Sequence, residues 1–461
     1  MPNKYSLLII AFMLTACGGG GSEPQTATGP ITTTPPTADN GSWQEATPES
    51  VGMDSALISS AFDEAFADGT YTGGALVIKD NNLVYERYRG ILSAEESTLI
   101  NSLGSNSLTL QSLYGSRDKD SLASSWSTAK SFVSVMVAIA IEQGFLESVD
   151  QSAADYIDEW SDDDRAQISI RNLLDMRSGL HLVCLDPTSG LLGTCNSDSG
   201  GSGGNLVYAD NQMTACIDRQ LAERGVNQPW YTAGGPYQAG YWVYSNCDTM
   251  VLGEILYRAT GQDLQTYADT HLFSKIGMTA YWWRDNDPND QVDGNYLAYC
   301  CLDATPRDFA RFGQLLLNNG VWNDEQIIPA SYIDKIKNIV VDSVLAAQFN
   351  SAFSYGLKFW TIAPGRQADG SFYPPANTIY STIGFDGQYI MVDFDNNMVV
   401  VRNSIYYPAL NRSGERKMKL DSMDIANSDF TVTLPAGSGM TSGSSFSPSA
   451  LLYKLNQSIN P

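Results

Sequence analysis

Apolar positions recur at helical spacing from Asp54 to about Asp68, opened by an aspartate suited to cap a first turn and closed before Gly69. Two apolar runs follow, Gly74-Ala-Leu-Val-Ile-Lys79 and Leu83-Val-Tyr-Glu-Arg-Tyr88, flanking Asp80-Asn81-Asn82, which predicts a hairpin. Phe132 to Ile141 is apolar on nearly every face, with Gly144 placed to end a helix. Its β-branched residues also fit a strand, and its length decides for a buried helix. Polar, glycine-rich sequence with short helical stretches fills about 145 to 300, and an apolar helix is expected from Met250 to Thr260. Amphipathic spacing returns in Arg307-Asp-Phe-Ala-Arg-Phe-Gly-Gln-Leu-Leu-Leu317. A second hairpin is expected where Gln388 to Phe394 and Met398 to Arg402 flank Asp395-Asn396-Asn397, and a last helix from about Ser447 to Ile459. Strands near both ends and a mainly helical middle predict an α+β fold. One sheet is assembled from residues 46–145 and 300–461, and a helical lobe at about 146–299 is inserted between them.

The first residues add a compartment. Lys4 precedes the apolar stretch Leu7 to Leu14, too short for a membrane span, and Leu14-Thr15-Ala16-Cys17 resembles the bacterial lipobox. Residues 1–16 are therefore expected to be a lipoprotein signal peptide, Cys17 the lipidated residue, and the Gly/Ser/Thr/Pro-rich stretch at 17–45 a flexible tether. An exported lipoprotein follows, with the outer membrane as its expected site and the membrane met only through the anchor. Export makes the other six cysteines (Cys184, Cys195, Cys216, Cys247, Cys300, Cys301) disulfide candidates. Six cysteines allow about fifteen pairings, and the sequence does not choose among them, although Cys184 with Cys195 would close a short loop. Cys247, beside Asn246, is expected to tie its loop by a disulfide. The formal charge of −24, from 51 acidic and 27 basic residues without a basic run, argues against nucleic acid as a partner and otherwise marks a solvated surface.

The chemistry narrows by residue type. With two histidines, His181 and His271, neither in a motif, a Ser-His-Asp triad and a metal site are both poorly supplied, and no cofactor is expected. The literal G-x-S-x-G at Gly200 to Gly204 lacks the strand and helix that would expose its serine. Ser127-Thr-Ala-Lys130, by contrast, opens the buried helix. Three residues make nearly one turn, so serine and lysine share a face, and the helix N-terminus with its apolar surroundings favours a neutral lysine able to act as a base. Ser116-Arg-Asp-Lys119 has the same spacing but no helix behind it. Tyr244-Ser245-Asn246 offers a phenol to relay a proton and an amide to hold a carbonyl. Thr382-Ile383-Gly384-Phe385 leads into a strand whose edge can supply an oxyanion N–H, although an ordinary glycine turn fits it as well. Trp230, Tyr231, Tyr241, Trp242, Trp282 and Trp283 wall an apolar pocket in one reading and fill the core in the other.

In this order, Trp126-Ser-Thr-Ala-Lys-Ser-Phe132, Asn172-Leu-Leu-Asp-Met-Arg-Ser-Gly-Leu180, Tyr244-Ser-Asn246 and Ala304 to Leu317 resemble the class C β-lactamase-related serine hydrolases. That family includes penicillin-binding carboxypeptidases, esterases and 6-aminohexanoate-dimer hydrolases, and the last group resembles this chain most. The resemblance runs from about Glu49 to Ser404 and implies an antiparallel sheet flanked by helices with a helical lobe across the site. It implies Ser127 as nucleophile, Lys130 as base, Tyr244 as proton relay, and Asn246 as ligand of Lys130 and of the substrate carbonyl. The N–H groups of Ser127 and Phe385, next to Gly384, would form the oxyanion hole. Where β-lactam-recognising relatives carry Lys-Thr-Gly or His-Thr-Gly, this chain has Thr382-Ile383-Gly384, so the cation that receives a carboxylate is missing. Lys275-Ile-Gly277 reads instead as a helix end. The expectation is a small-molecule ester or amide substrate with a neutral acyl group. A non-catalytic envelope-binding lipoprotein and a true β-lactamase or D-alanyl carboxypeptidase stand as the alternatives, separated by covalent labelling and by nitrocefin hydrolysis.

Overall fold

A computed structural model describes residues 43–103, 106–180, 206, 211–221, 231–232, 235–236, 244–285, 294–339, 354–362, 378–405, 417–420, 431–433 and 444–459. The expected signal peptide, Cys17 and most of the expected tether lie outside these residues, as do Cys184 and Cys195, the Gly200 to Gly204 loop, His181, Trp230, Tyr241 and Trp242.

The central sheet has seven antiparallel strands. In chain order these are β1 (Thr72–Lys79), β2 (Asn82–Tyr88), β3 (Tyr355–Gly356), β4 (Phe359–Thr361), β5 (Tyr380–Gly384), β6 (Gln388–Asp393) and β7 (Met398–Ser404), and across the sheet they lie β3-β4-β5-β6-β7-β1-β2. Strand β1 is central to the register: Leu76 faces Val401 of β7 on one side and Glu86 of β2 on the other. Asp80 and Asn81 turn the first hairpin at φ 49° and 66°, the left-handed pair that matches strand twist.

Every residue of β1 is buried because both sheet faces are covered. Leu76, Ile78, Ile390, Val392, Val399 and Val401 point into a core shared with helices α2 (Ala129–Glu142), α3 (Asn246–Thr260) and α4 (Pro306–Leu317). Their period-two neighbours Ala75, Val77, Met391, Met398 and Val400 face α1 (Ser55–Ala65) and α5 (Pro448–Gln457). Asp54 caps α1 by accepting from Leu57 N at 2.8 Å, and Thr305 caps α4. Helix α4 lies so close to the sheet that a Cβ on Gly313 would stand 2.5 Å from Val399 Cγ1. Phe312, on the same helix, stacks on Phe132 of α2 at 3.8 Å.

The architecture is the expected α+β one, with a difference in how the middle joins it. A second antiparallel sheet runs through Thr431–Thr433, Lys417–Leu420, Ala280–Arg284, Leu302–Ala304 and Ala123–Ser124, so it draws on the helical middle and on both flanks. One apolar core likewise runs from α2 into α3, across the boundary drawn near residue 145. Trp282 and Trp283 belong to that core, at 0% and 2% exposure, so for these two the core reading holds.

Candidate active site

The second sheet explains how the serine is held. Ser125 N donates to Leu302 O at 2.8 Å and Leu302 N donates back to Ser125 Oγ at 2.9 Å, which fixes the chain immediately before the site. Trp126 then takes a left-handed backbone, φ 47°, a conformation that a bulky residue holds only when its surroundings enforce it. A single 3₁₀ turn, Trp126–Thr128, delivers Ser127 half-buried at the entrance of α2.

One turn on, Lys130 is 1% exposed, and its Nζ stands 2.8 Å from Ser127 Oγ. The same Nζ donates to the main-chain oxygen of Tyr299 at 2.7 Å, and it lies 4.9 Å from the Tyr244 ring centre. Burial, reinforced by the nearby charge of Lys358, holds the Lys130 amine well below the ordinary lysine range. A neutral amine within hydrogen-bond reach of a hydroxyl is a base poised to take its proton.

Tyr244 is the residue before the N-cap of α3. Ser245 is that cap, its side chain accepting from Asp248 N, so the helix start fixes the Tyr-Ser-Asn triplet. The Tyr244 hydroxyl hydrogen-bonds Ser127, and burial pushes the phenol upward, so it stays protonated. Tyr355 and Trp360 pack against its ring at 6.1 and 5.8 Å. Asn246, at the first position of α3, is half-buried and makes no hydrogen bond to Lys130. The Tyr299 carbonyl takes the place that the resemblance implied for it. The disulfide Cys216–Cys247 fastens the helix start one residue further on.

Across the serine, the end of β5 approaches the Ser125–Trp126 turn. A Cβ on Gly384 would lie 2.1 Å from Ser125 O, so only glycine fits, and Phe385 sets its ring edge-on to Trp126 at 5.3 Å. Arg402, 1% exposed, donates to Asp386 O and Gly387 O and ties down the turn that follows. Thr382 is 1% exposed and donates to Thr128 Oγ1 at 3.2 Å, so it presents a buried hydroxyl.

The structure therefore brings Ser127, Lys130 and Tyr244 together, sets Gly384 and Phe385 against their turn, and leaves Asn246 beside them without a bond to the lysine. Ser116 and Lys119 stay apart from the site, Lys119 pairing with Asp120 at the surface at 2.6 Å. His271 meets Gln143 at 2.9 Å and packs on Tyr267, so it takes no part. Two contributors had no usable sequence signal. Tyr299 acts through its main chain, beside the disulfide-bonded pair Cys300–Cys301, and Lys358 lies in the two-residue turn between β3 and β4. For Lys358 the one available hint was a lysine inside the apolar run Tyr355-Gly-Leu-Lys-Phe-Trp360.

Comparison with known proteins bears on the family and the fold. Residues 58–406 match the Beta-lactamase family. A search of curated proteins gave no match. Among solved structures, a Bacillus anthracis protein provisionally described as a 6-aminohexanoate-dimer hydrolase is 24% identical, with a TM-score of 0.50 over 75% of each chain. A Bacteroides dorei protein provisionally described as a beta-lactamase is 16% identical, with a TM-score of 0.51 over 78% of this chain and 94% of its own. A penicillin-binding protein homologue from Caulobacter crescentus is 14% identical, with a TM-score of 0.51 over 76% and 91%. At these identities the likeness speaks for the fold.

Proposed function

Because this chain belongs to the Beta-lactamase family, whose members are serine hydrolases, we propose that it cleaves ester or amide bonds of a small substrate with a neutral acyl group, through an acyl-enzyme on Ser127. The observation that carries this reading is the buried Lys130 amine 2.8 Å from the serine hydroxyl. Ser127 Oγ attacks the carbonyl carbon as its proton passes to Lys130, and the oxyanion is received by the N–H groups of Ser127 and Phe385. Collapse breaks the bond to the alcohol or amine, which leaves with a proton relayed through the Tyr244 hydroxyl. Water then takes the serine's part, with Lys130 again as base, and releases the acid. Asn246, with no bond to the lysine, is assigned to the substrate carbonyl.

The neutral acyl group is inferred from Thr382. A lost charged hydrogen bond is worth about 1.5–3 kcal/mol, and a carboxylate-bearing β-lactam would forgo it here. The lipobox-like Leu14-Thr15-Ala16-Cys17 supports a lipid anchor on Cys17 and a place at the outer membrane, with residues 17–45 as tether.

The test is intact-mass analysis of the full chain in detergent after a fluorophosphonate, beside Ser127→Ala, with p-nitrophenyl butyrate turnover in parallel. A single adduct and turnover, both lost in the variant, are expected. A folded protein with neither would overturn the hydrolase reading in favour of a binding role.

A further inference from the structure

A second lysine is buried behind the Ser127–Lys130 pair. Lys358 follows Leu357 in the two-residue turn between β3 and β4, and both residues have positive φ, 65° and 49° respectively, a region that favours glycine. Hydrogen bonds from two other segments enforce the turn. Ser131 Oγ donates to Lys358 O at 2.7 Å and Ser134 Oγ to Leu357 O at 2.6 Å, both from α2, the helix that carries Lys130. Leu357 N donates to Asp175 Oδ1 at 2.8 Å, and Lys358 N to Leu174 O at 3.1 Å.

The side chain held this way is 1% exposed. Its Nζ donates to Met176 Sδ at 3.2 Å, a sulfur that also accepts from Ser245 N at 3.3 Å, the amide that follows Tyr244. Among the described residues Lys358 makes no direct ion pair. Burial lowers the Lys358 amine to about 7, against which Asp248, on α3, and Asp175, which feels Arg171 and Arg177 in turn, act from a distance to favour its charge, so the amine is positive on the acidic side of neutrality, where the acidic limb of a reaction profile is read. Burying an amine against a thioether is unfavourable unless the charge is used, and a methionine or leucine would fill the same space better.

We propose that Lys358 is a positioning residue for the Ser127–Lys130 pair: its buried positive charge, pinned to α2 and balanced by Asp248 and Asp175, disfavours a second positive charge on Lys130 and so keeps the base free. The inference rests on the serine-hydrolase reading above. The groups facing Lys130 fit it: Tyr244 and Tyr299 are kept protonated by burial, and among the described residues Lys358 is then the neighbour whose charge bears on the amine. When Ser127 gives up its proton, the lysinium formed stands against a like charge. This favours prompt transfer of that proton to the leaving group.

The experiment measures, on the full chain in detergent, the pH dependence of the fluorophosphonate labelling rate and of kcat/KM for p-nitrophenyl butyrate. With the charge removed in Lys358→Met, Lys130 should protonate more readily, moving the acidic limb of both profiles to higher pH by on the order of one unit. Lys358→Arg, which keeps the charge, should restore the wild-type limb. A folded Lys358→Met enzyme that is slower at every pH by one factor, with the limb unmoved, would mean that Lys358 only fills space and would overturn the proposal. Should that variant not fold, wild-type protein with isotope-labelled lysine gives a second reading by NMR, with the Lys130 signal assigned through Lys130→Met. Protonation of Lys358 is expected to displace the Lys130 signal, and titration of one without response from the other overturns the idea. Wild-type protein that fails to label would refute the hydrolase reading instead, while the NMR coupling would still be decided on its own.

Discussion

Gly384 offers the sharpest test of how the site is assembled, because the obstacle to a side chain there is space alone. In a Gly384→Ala enzyme the new methyl would lie 2.1 Å from Ser125 O and 2.8 Å from Gln388 Cβ, whereas real contacts essentially never fall under 3.0 Å. Neither neighbour can yield. Ser125 is bonded through both its N–H and its hydroxyl to Leu302, and Gln388 donates to Ser404 Oγ at 2.9 Å and accepts from Asn403 Nδ2 at 3.2 Å. The end of β5 must then move away from the serine turn and take the Phe385 N–H with it. A displacement on the order of 1 Å in such a group lowers turnover by about 10²-fold, while the crowding itself costs about 1–3 kcal/mol of stability. The assay is the second-order rate of fluorophosphonate labelling, read beside a thermal melt. Gly144→Ala serves as the control, since Gly144 is at φ 79° and a methyl added there would meet no atom within 4 Å, so strain is introduced without crowding the site. It should lose some stability and keep its labelling rate. A folded Gly384→Ala enzyme that labels at the wild-type rate would refute the claim that this edge completes the site.

Three further outcomes are expected. Lys130→Met should lower kcat/KM by about 10²–10⁴-fold, the usual contribution of a general base, yet melt no lower than wild type, because a desolvated amine is replaced by an apolar chain of similar length. Since the folded state holds Lys130 neutral, that stability advantage should be fullest below the depressed folded-state pKa and fade as pH rises towards about 10.4; equal melts at every pH would count against a buried free base. Replacing Cys216 and Cys247 by alanine opens a loop with a sequence separation of 31. Stability should fall by about 3–4 kcal/mol on the chain-entropy scale, with kcat reduced through the loosened Tyr244–Asn246 segment, as denaturant melts and turnover would show. Nitrocefin should be hydrolysed at least about tenfold less efficiently than p-nitrophenyl butyrate, in line with the missing charged contact, and comparable kcat/KM values would overturn the role given to Thr382.

The parts of this molecule that could be read from the sequence are those whose physics is local. Asp80-Asn81 between two apolar runs forces a hairpin, α4 shows its buried stripe directly, and Gly144 and Gly277 end helices in the left-handed conformation that their positions called for. Ser127 and Lys130 were legible together because one helical turn links their spacing to their contact. The second sheet was not, since Ala123–Ser124 and Leu302–Ala304 are too short to show a period and exist only through each other. Asn246 was assigned to Lys130 by motif, but the lysine finds its acceptor in a carbonyl, which every residue possesses and no sequence can advertise. Lys358 carries no local mark: its turn is drawn inward by the hydroxyls of Ser131 and Ser134 on α2, contacts that span more than two hundred positions of chain.

The position of β1 has a consequence for how the protein comes into being. One flank of this strand is closed within the next few residues by β2, but the other waits for β7, residues 398–404, made after more than three hundred intervening positions. Through most of synthesis, therefore, α2 exists without the completed sheet it packs upon, and β1 keeps one open edge of the kind that invites wrong pairing. Contacts of such separation also slow the approach to the native state. A chain halted before residue 388 would carry Ser127, Lys130 and Tyr244 in full and still lack β6 and β7, the two of seven strands that join β1 and β2 to the rest of the sheet, so assembly of the site is a late event, and shortened products should be protease-sensitive and inert.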